Sequence, residues 1–497
     1  MRIPKIQLLR QLWWIVVLLA LGYFTTGTSA LAQCTNRSNG YNTVYGSCNN
    51  TAKQGSFAMV DASQFPGTDI CAQIYAAFSA FMSNNNNAPT NGIVVDARGI
   101  APSDCTSGSP WRGWGFQSNS NPLPNVVLLP SGIIPIHGTW IMPSNTRLIG
   151  QGPGTLGTNG VLLGGTTLQV DTTFAGSEMI DMGPASSSPG AYCSSFGNLF
   201  NCPGVQIEHL RIDGTGGGQN LSGIVNYWGQ ELSHVEDVAF SNFSGTALTM
   251  YGNTAGNNGS YSANNSGPYS NLTMTGVKHC LNINGTYGTR GVHGLYCSSK
   301  GSPAIYVDAP NNTLEDITLA RDNGATEGTD GILIGSNSPA ENNLLFNIRS
   351  VLNGQGFGFS NLIHLRNMAN SLSTCPATTT GGSSTYNVCD ITIMGVTNGT
   401  AGNTINDEVG GTALTDPSLG MYILGEPVQS GLSTTVPINN FLGYSHFTTS
   451  PNWPSWAVGT SQRQGASCTG GVGSLFSVTS GPTTLWECES SGWQPVK

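Results

Sequence analysis

The chain has 497 residues with a formal net charge of −9, and only 9% of its residues are charged, against about 25% in an average domain. The acidic balance disfavours nucleic acid, whose phosphates select basic surfaces, and a 38% apolar content argues against disorder. The rest is dominated by Gly, Asn, Ser and Thr, which suits short strands joined by polar corners where Asn and Gly take unusual backbone angles.

In chain order, Arg2, Lys5 and Arg10 precede an apolar run from Leu12 to Phe24, and Ala30-Leu31-Ala32 offers a small-residue cleavage site. Residues 1–32 therefore read as a secretion signal. The run is shorter than the about 20 residues of a membrane span, and no second candidate follows. A lipoprotein reading with Cys34 lipidated is disfavoured by Gln33, where a small residue is expected. Losing the signal removes three of the 17 basic residues and none of the 26 acidic ones, which makes the mature balance −12.

All 12 cysteines lie beyond the signal, in the local couples Cys34/Cys48, Cys71/Cys105, Cys193/Cys202, Cys280/Cys297, Cys375/Cys389 and Cys468/Cys488. This number points to an oxidising compartment. Sequence cannot fix pairing; the sequential order is the one a solenoid favours, because chain neighbours are then space neighbours. Zinc is the rival reading, but there is no Cys-x-x-Cys pair and no metal site is assigned.

Residues 33–56 form a polar N-terminal loop closed by Cys34 and Cys48. Residues 57–152 are expected to hold a cap and the first rungs of a stack. From Thr68 or Asp69 as N-cap, Ile70, Ile74, Ala77, Phe78 and Phe81 follow helical spacing up to Asn84–Asn87. An apolar column needs a polar-backed cover at its open end, so this amphipathic helix is expected to cap one; a partner-binding helix is the alternative.

Val60-Asp61-Ala62, Phe65-Pro66-Gly67-Thr68-Asp69-Ile70 and Gly92-Ile93-Val94-Val95-Asp96-Ala97-Arg98-Gly99 are followed by Val127-Leu128-Leu129-Pro130-Ser131-Gly132 and Leu148-Ile149-Gly150-Gln151-Gly152-Pro153-Gly154. This succession resembles the opening of the pectate-lyase-like superfamily. The resemblance implies an all-β, right-handed parallel β-helix over about residues 57–445, in a group that includes polysaccharide lyases, glycoside hydrolases and virus tailspikes. The paired Asp-Asp of the polygalacturonase branch is missing, and Gly291-Val292-His293-Gly294 is only loosely similar to that branch's Gly-His-Gly, so its mechanism does not carry over.

Within residues 153–447 a pattern of apolar first, fourth and sixth positions begins at Ile207, Val235, Tyr269, Val292, Leu314, Leu345 and Val388. A second β-prone run follows most starts, as in Gly223-Ile224-Val225 and Ile332-Leu333-Ile334. One such turn cannot bury its few inward side chains, whereas stacked turns build a continuous apolar column. Seven turns would stand on the order of 34 Å tall. The third position holds His209, Asp237, Asn271, Gly294, Asp316, Asn347 and Asp390, an array that stacked side-chain hydrogen bonds would produce.

With ionisable residues this sparse, their clustering is informative. Lys278, His279, Arg290 and His293 lie in the third and fourth repeats, and Glu315, Asp316, Arg321, Asp322, Glu327 and Asp330 in the fifth. Rungs about 4.8 Å apart are able to unite them, with His293, Glu315, Asp316, Arg321 and Asp322 as candidate catalytic residues. The Asn/Gly/Ser-rich loop 251–269 would overhang them, offering Tyr251, Tyr261 and Tyr269 as stacking platforms and Arg290 as a substrate contact. Hydrolysis would use Glu315 or Asp316 with Asp322 or Asp330 as paired carboxyls. β-Elimination would need a base and a positive group or Ca²⁺ at the developing enolate. Surface ion pairing between rungs is the bland alternative.

Residues 448–465 read as a linker, and 466–497 as a small disulfide-tied β module whose Trp486 and Trp493 would cap, oligomerise or stack on sugars. The sum is a secreted protein acting on a polysaccharide, as lyase or hydrolase. A non-catalytic adhesive β-helix is the alternative, and the oligomeric state stays open.

Overall fold

In the computed structural model the described residues are 43–45, 58–82, 92–111, 124–156, 162–184, 193–196, 199–251, 265–284, 289–322, 330–335, 340–351, 358–366, 388–389, 391–399, 403–407, 421–424, 428–429, 456–459, 475–478, 485–489 and 492–495. The third position of each repeat is where the chain turns. His209, Asp237, Asn271, Asp316 and Asn347 have φ between 52° and 56°, and Gly294 has 70°. This left-handed conformation disfavours ordinary L-residues by about 1–2 kcal/mol, but Asn, Asp and Gly adopt it more readily. The preference behind the Asn/Asp array is thus one of backbone bending, and the side-chain contacts along it are discontinuous. Asn347 Nδ2 donates to Asp316 Oδ1 at 2.5 Å, and His209 Nδ1 meets Asp237 Oδ2 at 3.0 Å.

Each bend divides a strand such as Gln206–Asp213 between two sheets, and a shorter strand such as Ser222–Asn226 supplies a third. The result is a right-handed parallel β-helix with three faces. On the first sheet Ile207 is in register with Val235, Val235 with Tyr269, Tyr269 with Val292, Val292 with Leu314, and Leu314 with Leu345. The stack also runs further in both directions, through Val60, Val95, Val127 and Leu148 before Ile207, and to Ile423 after Ile393. At the usual rung spacing it stands on the order of 50 Å tall.

The expected seventh start is displaced. Ile393, not Val388, takes register with Leu345, while Val388–Cys389 pairs with Ala340–Glu341 in a separate small sheet. Val388, Ile391 and Ile393 satisfy the apolar spacing by coincidence. With Ile393 first, Gly395 at φ 66° becomes the third residue and supplies the bend; Asp390 lies outside the described residues.

The first, fourth and sixth positions face inward and are buried, as with Ile207, Leu210 and Ile212. Ser350 interrupts this set without loss, because its hydroxyl accepts the Gly399 N–H at 3.0 Å. Tyr269 also faces inward. It is fully buried, and its hydroxyl takes a 2.8 Å hydrogen bond from Asn226 Nδ2 and lies 2.7 Å from Ser266 Oγ.

The helix α1, Ile70–Met82, buries Ile70, Ile74, Ala77 and Phe78 in the same core as the rungs. The strand Thr43–Tyr45, from the segment read as a loop, pairs antiparallel with Ala58–Asp61 and so covers a sheet edge. Disulfides join Cys71–Cys105, Cys193–Cys202 and Cys280–Cys297, and each remaining expected couple has a member outside the described residues. At the C-terminus the strands Leu475–Val478, Leu485–Glu489 and Gly492–Pro495 form an antiparallel meander. Trp456–Gly459, inside the expected linker, adds to it in parallel.

Asp69 caps α1. Its Oδ1 accepts Ala72 N–H at 2.8 Å, and the carboxylate also accepts Thr106 Oγ1, Ser107 N and Ser107 Oγ at 2.7–2.9 Å. Burial opposes its charge, but the hydrogen bonds from Ser107, Ala72 and Thr106 outweigh it and hold the carboxyl below its ordinary 3.8. Asp69→Ala is expected to cost about 1–2 kcal/mol. Since the folded value is depressed, the stabilisation is complete above pH 3.8 and fades as pH falls through the folded value. Thermal melts should therefore show the gap between parent and variant closing on acidification.

Candidate functional site

The third sheet carries an acidic site beside an irregular strand. Thr166–Met182 pairs with Gly132–Met142, but Ile136, Gly138 and Trp140 align with Val170, Ala175 and Ile180, so the later strand holds three extra residues in each interval. The excess is thrown outward as a ridge over residues 171–178. Thr139 Oγ1 pins the ridge's end by donating to the Glu178 carbonyl at 2.7 Å. Beyond it Ile180 and Met182 turn inward, which aims Asp181 outward.

The next two rungs supply aromatic rings. Tyr227 follows Ser222–Asn226, and Tyr251 ends Thr246–Tyr251; their rings stack with centroids 5.3 Å apart and planes within 15°. Tyr227 Oη donates to Glu178 Oε1 at 3.4 Å, and Ser177 Oγ donates to Glu178 Oε2. Glu178 is level with Ser222, and Asp181 with Val225. Asp181 therefore sits between the level of Glu178 and that of Tyr227. Although it faces outward, Asp181 is only 2% exposed.

Burial first, and then the nearby charge of Glu178, push the Asp181 carboxyl up to about 9, so it keeps its proton at neutral pH. Its Oδ1 is buried with no hydrogen-bond partner among the described residues. Burial also pushes the Tyr227 and Tyr251 phenols up, with Glu178 adding to it. The site thus combines a protonated acid, a second carboxyl group and a rigid aromatic pair.

A second cluster lies on the first sheet. Arg147 holds Glu208 through Nε to Oε1 at 2.8 Å and Nη2 to Oε2 at 2.6 Å, and His234 Nε2 lies 3.0 Å from Oε1. Burial works against the Glu208 charge, but His234 and Arg147 outweigh it and bring the carboxyl down to about 2. Both oxygens are committed, so this group anchors an ion network and holds no proton to transfer.

Of the residues expected from sequence, His293 and Glu315 do meet, at 2.7 Å across neighbouring rungs of the first sheet. His293 Nε2 also faces the Arg290 carbonyl at 3.1 Å, and the Arg290 residue is exposed. The other acids do not converge. Asp316 sits at the bend, whereas Arg321 ends Thr313–Arg321 on the second sheet and its Nη1 donates to the Gly358 carbonyl at 3.1 Å, with Asp322 just beyond. Asp330 is on the third sheet, bonded to Asn361 at 2.6 Å and near His364 at 2.9 Å. Residues neighbouring in sequence are thus dealt onto different faces.

Among the tyrosine platforms, Tyr269 is corrected to a core residue, a role already signalled by its place at the apolar first position. Tyr251 stacks on Tyr227, which bonds Glu178, an acid outside the expected cluster. Tyr261 and Glu327 lie outside the described residues. Glu178 and Asp181 lie outside the clusters where charge is densest along the chain, so charge density does not single them out. The available signal was the tyrosine just after an inward residue at two successive strand ends, Asn226-Tyr227 and Met250-Tyr251.

Among the described residues no group of three or more His, Cys, Asp or Glu side chains gathers as a metal site, and no helix is long and apolar enough to cross a membrane.

No protein-family model matches the chain, and no curated protein does. Solved structures that resemble it include ORF18 of Geobacillus virus E2, at 11% identity and a TM-score of 0.38 over 75% of this chain and 62% of that one, so the match spans under two thirds of the virus protein. Another is the A-module of Azotobacter vinelandii mannuronan C-5 epimerase AlgE6, at 11% identity and 0.36 over 74% and 100%. DFA-IIIase of Arthrobacter chlorophenolicus A6, in complex with DFA-III, resembles it at 12% identity and 0.35 over 76% and 87%. Likeness at this level assigns no role to any residue.

Asp181 has a folded value raised from 3.8 to about 9. Folding therefore takes up a proton, and its favourable contribution is complete below pH 3.8 and lost as pH rises towards about 9. Asp181→Asn, neutral at every pH, should show a smaller fall in melting temperature between pH 5 and pH 8 than the parent. Parallel slopes in scanning calorimetry would contradict the raised value.

Proposed function

We propose that the chain is a secreted carbohydrate-active enzyme that cleaves glycosidic bonds in an extracellular polysaccharide. The observation that carries this reading is the proximity of Asp181, which keeps its proton, to Glu178, which Tyr227 of the Tyr227–Tyr251 stack hydrogen-bonds. Glycoside hydrolysis asks for two carboxyl groups whose surroundings push their proton affinities apart. Asp181, 2% exposed at rest, would be uncovered by side-chain rotation on substrate binding and would then protonate the leaving glycosidic oxygen as the C–O bond breaks. Glu178 would either draw a proton from the attacking water or attack the anomeric carbon itself. Tyrosine rings offer flat apolar faces for sugars. The apolar run near the N-terminus and the three disulfides support secretion.

A second reading, β-elimination on the first sheet, is favoured by the His293–Glu315 contact beside the exposed Arg290. It would use His293 as the base and Arg290, or Ca²⁺, opposite the developing enolate.

Reducing-end release from a polysaccharide panel, read together with the ultraviolet absorbance of unsaturated products, separates the two readings. Asp181→Asn and Glu178→Gln are each expected to lower hydrolysis by roughly 10²–10⁴-fold, with kcat/KM in the parent falling as pH rises past about 9. Unsaturated product that survives Asp181→Asn but is lost in His293→Ala would select the second reading. Glycan binding with no turnover would select an adhesive protein.

A further inference from the structure

Along the ridge the backbone ladder stops guiding the chain. Of residues 171–177 only Ala175 is in register with the preceding strand, and pairing with the next rung resumes at Glu178. Side chains hold the ridge instead. At its start Thr173 Oγ1 donates to Asp171 Oδ1 at 2.7 Å, which leaves its lone pair for the His137 Nδ1–H, also at 2.7 Å. In the middle Phe174 packs on the core, and at the end Thr139 Oγ1 donates to the Glu178 carbonyl.

The ridge passes close over Thr139. A Cβ on Gly176 would stand 2.5 Å from Thr139 Oγ1 and 2.9 Å from the Phe174 ring. Thr139 is β-branched and has little freedom to turn aside, so the glycine makes room for the hydroxyl that reaches Glu178. Thr139 and Ile141 are alternate, outward residues of one strand, on either side of the buried Trp140. Ile141 is in register with Asp181, and Thr139 takes the Glu178 carbonyl. Both acids are thus placed from neighbouring positions of one strand. Asp181 has Ile141 on one side and Val225 on the other, so the charge that acts on it is Glu178, three residues back on its own strand. Tyr227 and Tyr251, from the following rungs, are the other titratable groups at the pair.

We propose that Thr139 is the positioning residue of this acid pair: its hydroxyl, lodged under Gly176, fixes the end of the ridge and with it the spacing between Glu178 and Asp181. A misplacement of about 1 Å is enough to cost about 10²-fold in rate. The effect on turnover rests on the proposed hydrolysis, whereas the placement of the two acids does not.

The test compares Thr139→Val, which keeps the branched shape without the hydroxyl, with Thr139→Ser, which restores it. Gly176→Ala crowds the same hydroxyl while leaving Thr139 in place, and gives the comparison again should Thr139→Val melt early. Freed of the bond, Glu178 moves off Asp181 and adds less to its proton affinity. Because a lowered folded value shrinks the stability lost on raising pH, Thr139→Val and Gly176→Ala should lose less melting temperature between pH 5 and pH 8 than the parent, though more than Asp181→Asn. On a polysaccharide that the parent cleaves, both should lower kcat roughly 10- to 100-fold with KM little changed, and Thr139→Ser should match the parent in both readouts. A parent-like pH slope in either variant overturns the positioning role even where turnover falls, and so does failure of Thr139→Ser to restore the slope. A slope that follows Thr139 in a chain without turnover supports the positioning role and overturns the hydrolase reading. Hydrolysis that needs Asp181 and Glu178 but is indifferent to Thr139→Val does the reverse.

Discussion

Parallel hydrogen bonding between rungs decides, for every side chain, which residue lies above it and which below. Ile207 meets Val235 and not its neighbour because the ladder permits no slip without turning inward residues out. The same constraint governs the chemistry. His293 and Glu315 meet because they share a position in successive rungs, while Glu315 and Asp322, close in sequence, are separated by a bend and a whole face. A site on this scaffold is assembled by position within the turn, and closeness along the chain counts for little.

Asp181 shows how the scaffold accommodates an unfavourable group. A buried carboxyl with no cationic partner is costly to ionise, and here it avoids the cost by staying protonated. Glu208 solves the equivalent problem the opposite way, staying charged because Arg147 and His234 surround it. Two buried acids on two faces of one stack thus end in opposite protonation states. Only the one without a cationic partner holds a proton at neutral pH.

Much of the architecture was legible because it is periodic. Six of seven repeat starts, the helix with its Asp69 cap and three cysteine couples follow from local spacing and chemistry. The exception, Val388, fell where Ile391 and Ile393 mimic the repeat in a shifted frame. The candidate site was much less legible. Asp181 gains its character from burial and then from the nearby Glu178, on a strand whose register jump no periodic pattern reveals. Tyr269 is the converse case: an aromatic beside a polar loop reads as a platform, although its hydroxyl finds Asn226 across the core.

The ridge over residues 171–178 shows what a stacked architecture permits. Extra residues enter Thr166–Met182 at one corner, yet Ile180 and Met182 rejoin Trp140 and Met142 in register, and the following rungs are undisturbed. Length changes are absorbed where they arise. Corner segments can therefore be lengthened, shortened or transplanted singly, remodelling the surface they form while the spine beneath stays unaltered. The outer surface of such a chain can drift by small insertions at one turn without renegotiating the fold.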